Sequence, residues 1–331
     1  MDWDLIFRQG ATAGVGPIAC YTALAAIGLN MQFGYTGLLN FGQAAFAAMG
    51  AYGLAVSVAT YGLSFWAGLG FGLFAAIVLA VLLGLPTLRL RADYLAIVTI
   101  AASEIVRLVV RSVRYTKTLG GTDGLQNFAG RFFEINPLSP GEHGVWLFKF
   151  NERDSWLLIC GWGLVVFCSL ITFLAIRSPW GRVIKAIRED EDAVRSLGKN
   201  TYWYKMQSLM LGGLFGAMSG FVFAMSKQSV NPDDYTTRFT FVALAVLILG
   251  GTARVMGPIV GAIIFTGVLQ FIDTLLRQMI TAGYIPDWLP LDTNKIGPVR
   301  LILTGLVIML LMIYRPQGIF GDRNEVRISA R

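Results

Sequence analysis

The amino-acid sequence predicts an all-α integral membrane protein, a polytopic helical bundle of about nine spans (roughly eight to ten) with broken helices. Three observations carry this expectation. Only 14% of the 331 residues are charged, against about 25% in a soluble domain. Mean hydropathy is +0.61. From Gln9 to Leu88 the chain runs 80 residues without one Asp, Glu, Lys or Arg. A crossing consumes about 20 apolar residues, so that run alone holds roughly three.

The elements follow in order. Met1-Asp2-Trp3-Asp4 lacks the basic start of a secretory signal, so no cleaved peptide is expected. Apolar segments place spans at 13–33, 38–60, 65–86, 93–113, 155–176, 206–226, 239–253, 256–280 and 298–314. Only Arg254-Val255 separates the seventh from the eighth, which reads as a tight hairpin or a broken pair.

Charge orients these spans. The connection 177–205 carries Arg177, Arg182, Lys185, Arg188, Arg195, Lys199 and Lys205. The tail 315–331 adds Arg315, Arg323, Arg327 and Arg331, and the link before the fourth span adds Arg89 and Arg91. All three regions share one side, which the positive-inside rule makes the cytoplasm. The connection 114–154 then lies outside, where five cations are balanced by Asp123, Glu134, Glu142, Glu152 and Asp154. With nine spans the N-terminus is also outside. Residues 1–331 thus form one transmembrane domain, its outer faces covered by lipid. The net charge of +7 belongs to the cytoplasmic loops and implies no nucleic-acid partner.

A glycine-rich polar seam crosses the uncharged run: Gly34-Tyr35-Thr36-Gly37-Leu38-Leu39-Asn40-Phe41-Gly42-Gln43-Ala44-Ala45-Phe46. Inside hydrocarbon every backbone polar group must be satisfied within the protein, so this stretch should not face lipid. Broken polar backbone at membrane depth is typical of a transporter's substrate pathway, which makes Tyr35, Thr36, Gly37, Asn40, Gly42 and Gln43 pathway candidates. The alternatives are a cytoplasmic loop between ordinary spans, or small residues that let helices pack closely. A second break, Gly250-Gly251-Thr252-Ala253-Arg254, faintly echoes the first and adds Gly250, Gly251 and Thr252 to the candidates.

The segment Ser178–Gly198 reads as a cytoplasmic helix or two short ones, with Ser178 as cap, Pro179 at the first position and Gly198 as terminator. Trp180, Val183, Ile184, Ile187, Val194 and Leu197 recur at helical spacing. Such a stripe, with no soluble domain to pack on, invites a partner's groove; the acids Glu189 to Asp192 argue against the alternative of a helix lying on anionic lipid.

Glu104 falls about 15 Å into the fourth span. It is either a structural partner of Arg107 or a pathway carboxylate. The external Gly120-Gly121-Thr122-Asp123-Gly124 suggests tight turns, with Thr122 and Asp123 candidates for contact with an external partner. Three cysteines without ligand spacing and a single histidine, His143, supply no metal site and no acid–base relay. Gly198-Lys199-Asn200 is not a phosphate-binding loop, so no cofactor is expected on this chain, and ATP, if used, would be hydrolysed by partner subunits. A transport subunit rather than an enzyme follows.

In order along the chain, the seam with Gly50-Ala51-Tyr52, the stretch Leu88 to Thr99, Glu104-Ile105-Val106-Arg107, Gly120 to Leu125, Ser178-Pro179-Trp180-Gly181-Arg182, Gly250-Gly251-Thr252 and Arg315-Pro316-Gln317-Gly318-Ile319-Phe320-Gly321 resemble the permeases of branched-chain amino-acid ABC transporters of the LivM type. The resemblance implies an inner-membrane importer subunit that pairs with a second, LivH-like permease subunit, two cytoplasmic ATPase subunits and an external or periplasmic substrate-binding protein. It also implies that Trp180, Gly181, Arg182, Ile184, Ile187 and Arg188 couple to an ATPase. Many relatives carry Ser and His where this chain has Asn40 and Gln43, and a glycine is common near Ala253-Arg254. Urea and amide permeases share much of the first signature and stand as the alternative substrate reading. An ion-coupled secondary transporter using Glu104 is a further one.

Overall fold

The computed structural model describes residues 2–89, 92–139, 141–145, 148–282, 296–314 and 318–321. Helix α1 (Trp3–Val15) precedes α2 (Pro17–Leu29). Pro17 favours extended backbone at Gly16 (ψ 177°), and the two helices meet at a bend of 41°. The first span was expected to begin near residue 13. It begins earlier because Gly10 and Gly14 let α1 lie close against Gly267, a contact that the charges of Asp4 and Arg8 hide from a hydropathy reading.

Helix α2 continues as a wider π-helical turn, Asn30–Tyr35, and α3 (Gln43–Ala55) ends in another, Val56–Thr60. Residues 37–42 between them are not helical. Helices α4 (Phe65–Thr87) and α5 (Ala92–Arg111) follow. The connection 114–154 holds the short α6 (Thr116–Leu119) and α7 (Gly130–Glu134) with strands β1 (Leu125–Gln126), β2 (Glu142–Val145) and β3 (Phe148–Asn151). Strands β2 and β3 pair antiparallel, while β1 pairs with β4 (Ser229–Val230), Leu125 opposite Val230. Then come α8 (Glu152–Arg177), α9 (Pro179–Glu189), α10 (Glu191–Ser196), α11 (Thr201–Lys227), a 3₁₀ turn (Pro232–Tyr235), α12 (Thr237–Gly250), α13 (Gly257–Thr281) and α14 (Ile296–Tyr314).

Each of the nine anticipated segments meets a helix. Among the described residues, five helical segments are long and apolar enough to cross a bilayer: Gln43–Thr60, Phe65–Thr87, Glu152–Arg177, Thr201–Lys227 and Gly257–Thr281. Counted as one broken span, the bent pair α1–α2 brings these to six, and α12 is apolar but shorter.

The helix ends sort as the charges require. The Arg89 guanidinium lies 5.7 Å from the Tyr202 ring centre and the Lys185 ammonium 6.0 Å from that of Tyr35. Phe320 borders the same groove as Lys185, so the link after α4, the 177–205 region and residues 318–321 share one end, here called the basic end. Arg91, Arg315, Arg323, Arg327 and Arg331 lie outside the described residues. The opposite end gathers the 3₁₀ turn, the β1–β4 pair and Thr60, whose hydroxyl donates to the Thr118 carbonyl (3.0 Å).

At the centre, α11 packs on α2 and α3 almost backbone to backbone. A Cβ at Gly220 would collide with the Ala47 carbonyl, and one at Gly50 with that of Ala217. Lipid tails are as apolar as leucine, so helices in a bilayer gain from this close approach rather than from apolar burial alone. Cys20 and Cys168 are buried in the helix contacts.

Candidate functional site

The seam proves to be a sealed reversal of the chain. Non-helical backbone here must find its partners in protein, and named side chains supply them. The Phe41 N–H donates to Thr99 Oγ1 (3.0 Å) and the Gly42 N–H to Asn40 Oδ1 (2.8 Å). The Asn40 amide donates to Gln32 Oε1 (2.7 Å), and Gln32 in turn donates to the Leu209 carbonyl on α11 (3.1 Å). The start of α3 leaves N–H groups without intrahelical partners; that of Ala44 reaches Thr240 Oγ1 on α12 (2.9 Å). Thr36 bonds the Met31 carbonyl (2.9 Å) and Ser208 (2.6 Å).

Glycines permit this path. Gly37 sits at φ +73° against the Arg188 side chain, and a Cβ at Gly42 would lie 2.8 Å from the Thr99 carbonyl oxygen.

Asn40 and Gln43 were expected to offer polar side chains to a pathway. Both are buried, and the Gln43 amide donates to the Gly212 and Ala25 carbonyls (3.1 and 3.4 Å). Asn40 thus satisfies the break, while Gln43 ties the start of α3 to α2 and α11. The Gln43 carbonyl oxygen alone has no partner among the described residues. The seam's accessible residues are instead Gly37, exposed, with Leu39 and Phe41, both half-buried, and the Phe41 ring lies 5.7 Å from Phe241 on α12.

The second break docks on the first. Asn30, in the π-helical turn, donates to the Arg254 carbonyl (2.8 Å) and accepts from the Ala253 N–H (2.9 Å). Gly250 packs where a Cβ would strike the Gly257 carbonyl, and Gly251 has φ +109°. Thr252 is half-buried beside it. Ala253 occupies the left-handed region at φ +57°. The tail motif closes the arrangement: the Ile319 and Phe320 N–H groups donate to the carbonyls of Leu249 and Gly250 (both 3.0 Å), two acceptors left over at the end of α12. Residues 318–321 therefore brace the second break rather than hanging free.

Helix α9 bears on the same place, with α10 following it. Ser178 caps α9 as expected, and Asp190 interrupts the helix because its carboxylate accepts from the Asp192 and Ala193 N–H groups (3.0 Å each), capping α10. The apolar stripe turns inward. Ile184 and Ile187 are buried, and Ile184 packs with Met31, Tyr35 and Ile176. Gly181 fits against the Ile176 carbonyl, and the half-buried Trp180 donates its indole N–H to Gln207 (2.6 Å). These residues were assigned to a partner's groove; they fasten α9 to the bundle because α8, α11 and the π-helical turn after α2 already offer them an apolar seat. The outward surface is Arg182, Lys185, Glu189 and Leu197, the last 80% exposed. Arg188 reaches inward and donates to the Gly34 carbonyl (2.6 Å).

Glu104 is paired. Arg107 donates through Nε to both of its carboxylate oxygens (3.1 and 3.0 Å) and through Nη1 to Asp233 (2.8 Å) in the 3₁₀ turn, where Arg111 also bonds (3.3 Å). Thr99, bonded to the seam, lies five residues before Glu104, and Asp233 of the opposite end joins its network, so Glu104 lies between the seam and that end. Thr122 and Asp123 are exposed in a turn held by Asn231, whose amide donates to the Thr122 carbonyl (3.2 Å).

Sequence reasoning passed over Asn30, Gln32, Thr99, Ser208 and Thr240. Asn30 and Gln32 left a signal, as two amides inside an otherwise apolar span. Thr99, Ser208 and Thr240 left none, since a threonine or serine in a membrane helix ordinarily bonds its own preceding turn.

A family profile described as the branched-chain amino acid transport system / permease component matches residues 17–314. The chain belongs to this permease family. It is 30% identical to the high-affinity branched-chain amino acid transport system permease protein LivM of Escherichia coli, over 96% of this chain and 71% of that protein. A probable branched-chain amino acid transport permease protein LivM of Methanocaldococcus jannaschii is 25% identical over 91% of this chain and 90% of its own length. The autoinducer 2 import system permease protein LsrC of Salmonella paratyphi B is 30% identical over only 39% of this chain.

Proposed function

We propose that this permease imports branched-chain amino acids as one half of an ATP-driven transporter, crossing the membrane nine times with its basic end in the cytoplasm. The reading is carried by one observation: two non-helical breaks meet at Asn30 inside the bundle, and Arg188 ties the first of them to α9. Bonded irregular backbone at depth lets two blocks of helices shift as units. The outward surface of α9 and α10 receives the ATPase, and the inward bond of Arg188 carries its motion to the π-helical end of α2. Leu39, Phe41 and Phe241 face the second permease subunit, and solute passes along that apolar face, which suits branched side chains better than urea. Thr122 and Asp123 meet the binding protein on the other side.

The test is reconstitution of the chain with its co-expressed partners in liposomes. Leucine, isoleucine or valine, with the binding protein present, should raise ATP hydrolysis and enter the lumen. Stimulation by urea or acetamide alone would move the assignment to the amide permeases.

A further inference from the structure

We propose that the groove between α8 and α13 at the basic end is a binding site for one anionic phospholipid of that leaflet. Both helices pack on α2, and they leave a cavity of about 590 Å³ between them. Its walls are apolar: Val166, Leu170 and Phe173 from α8, Val255 just before α13 and Ile259 in its first turn. Val166 and Leu170 are 65% and 53% exposed, so the groove opens sideways onto an exposed apolar face of α8.

Its mouth is cationic. Lys185 of α9 and Arg254 of the second break line it, and the Arg177 guanidinium stands 4.0 Å over the Phe173 ring at the same rim. No acidic side chain lines the groove among the described residues; Glu189 lies one turn further along α9. Ser169, buried in the wall, has a hydroxyl with no partner among the described residues. A buried hydroxyl ordinarily finds an acceptor, and an ester or phosphate oxygen drawn into the groove supplies one.

An apolar slot that opens to the bilayer and ends in two or three cations complements one acyl chain and an anionic head. A compact zwitterion would leave the slot unfilled, and a free anion would use only its mouth. The site is independent of which solute the permease carries. A lipid seated here touches α8, α9 and the second break together.

The purified full-length chain, incubated in detergent with phosphatidylglycerol or phosphatidylcholine of matched chains, is read by native mass spectrometry. Phosphatidylglycerol should bind at least tenfold more tightly. Each cation is expected to contribute about fivefold, so Lys185→Gln weakens it by that factor and Lys185→Gln with Arg254→Gln abolishes the preference. Ile259→Trp, which fills the slot and leaves the cations, should displace the lipid as well; a thermal melt confirms folding of each variant. Should the double variant unfold, Lys185→Gln and Ile259→Trp decide the question. Equal retention of the two lipids, an unchanged preference in folded Lys185→Gln, or full displacement by glycerol 3-phosphate would each overturn the proposal, the last by showing an anion site without a tail.

Discussion

Replacing Asn30 by alanine removes the two bonds that join the breaks, to the Arg254 carbonyl at 2.8 Å and from the Ala253 N–H at 2.9 Å. Asn30 is 1% exposed, so no water replaces them. A net value of about 1 kcal/mol for each bond gives about 2 kcal/mol, and two orphaned backbone groups raise the loss toward about 4. Side-chain bonds between membrane helices average nearer 0.6 kcal/mol because the unfolded chain also finds partners, which sets a floor of about 1. Ala253→Gly should act in the opposite direction. At φ +57° an alanine carries strain of about 1 kcal/mol that glycine does not. The strain is a backbone term, so the gain should persist beside Asn30→Ala. Reversible unfolding in mixed micelles, for wild type, both single variants and the double, measures all four states. A loss below about 0.5 kcal/mol for Asn30→Ala, or destabilisation by Ala253→Gly, would refute the docking of the two breaks.

Arg188→Met keeps the packing on Gly37 but loses the bond to Gly34, so uptake should fall about tenfold or more while ATPase binding persists; normal uptake would sever α9 from the seam. Leu197→Asp should release the ATPase from a fully folded permease, whereas Ile187→Asp, which puts a charge at a buried position of α9, should destabilise the permease itself; co-purification and melting curves separate them. Glu104→Gln should cost no more than about 1 kcal/mol because Asp233 still holds Arg107. Arg107→Gln should cost more, and a larger loss for Glu104→Gln in thermal melts would contradict the network. Burial would raise the Glu191 carboxyl, but Lys205, Thr201 and Arg195 bring it below the ordinary carboxylate range. Its contribution is therefore complete above about pH 4.3 and is lost as pH falls through the lower folded value. Melting points taken between about pH 6 and about pH 3 should converge for wild type and Glu191→Gln at the acid end; parallel curves would exclude the pairing.

The membrane class, the helical segments and the grouping of their ends were legible in the chain, because hydropathy and charge act residue by residue against water and lipid. The cap at Ser178 was local for the same reason, as were the turns at Gly120 and Gly124, where a glycine takes the left-handed conformation cheaply; the cap at Asp190 and the turn at Gly37 emerged only in the structure. The permease resemblance rode on these local features. Sequence periodicity also found the stripe of α9, but periodicity says only that a face is apolar and not what covers it. Tertiary structure decided that α8, α11 and the π-helical turn after α2 cover it, leaving Leu197 and a charged rim outside. In the same way the polar groups in and around the seam declared themselves at depth, while their partners, Thr99, Leu209, Gly212 and Thr240, lie between 58 and 196 residues away in the chain. A hydrogen-bond demand is written in a residue's own chemistry. Its satisfaction depends on which distant backbone or side chain folding brings within 3 Å, and that is set only once the helices pack.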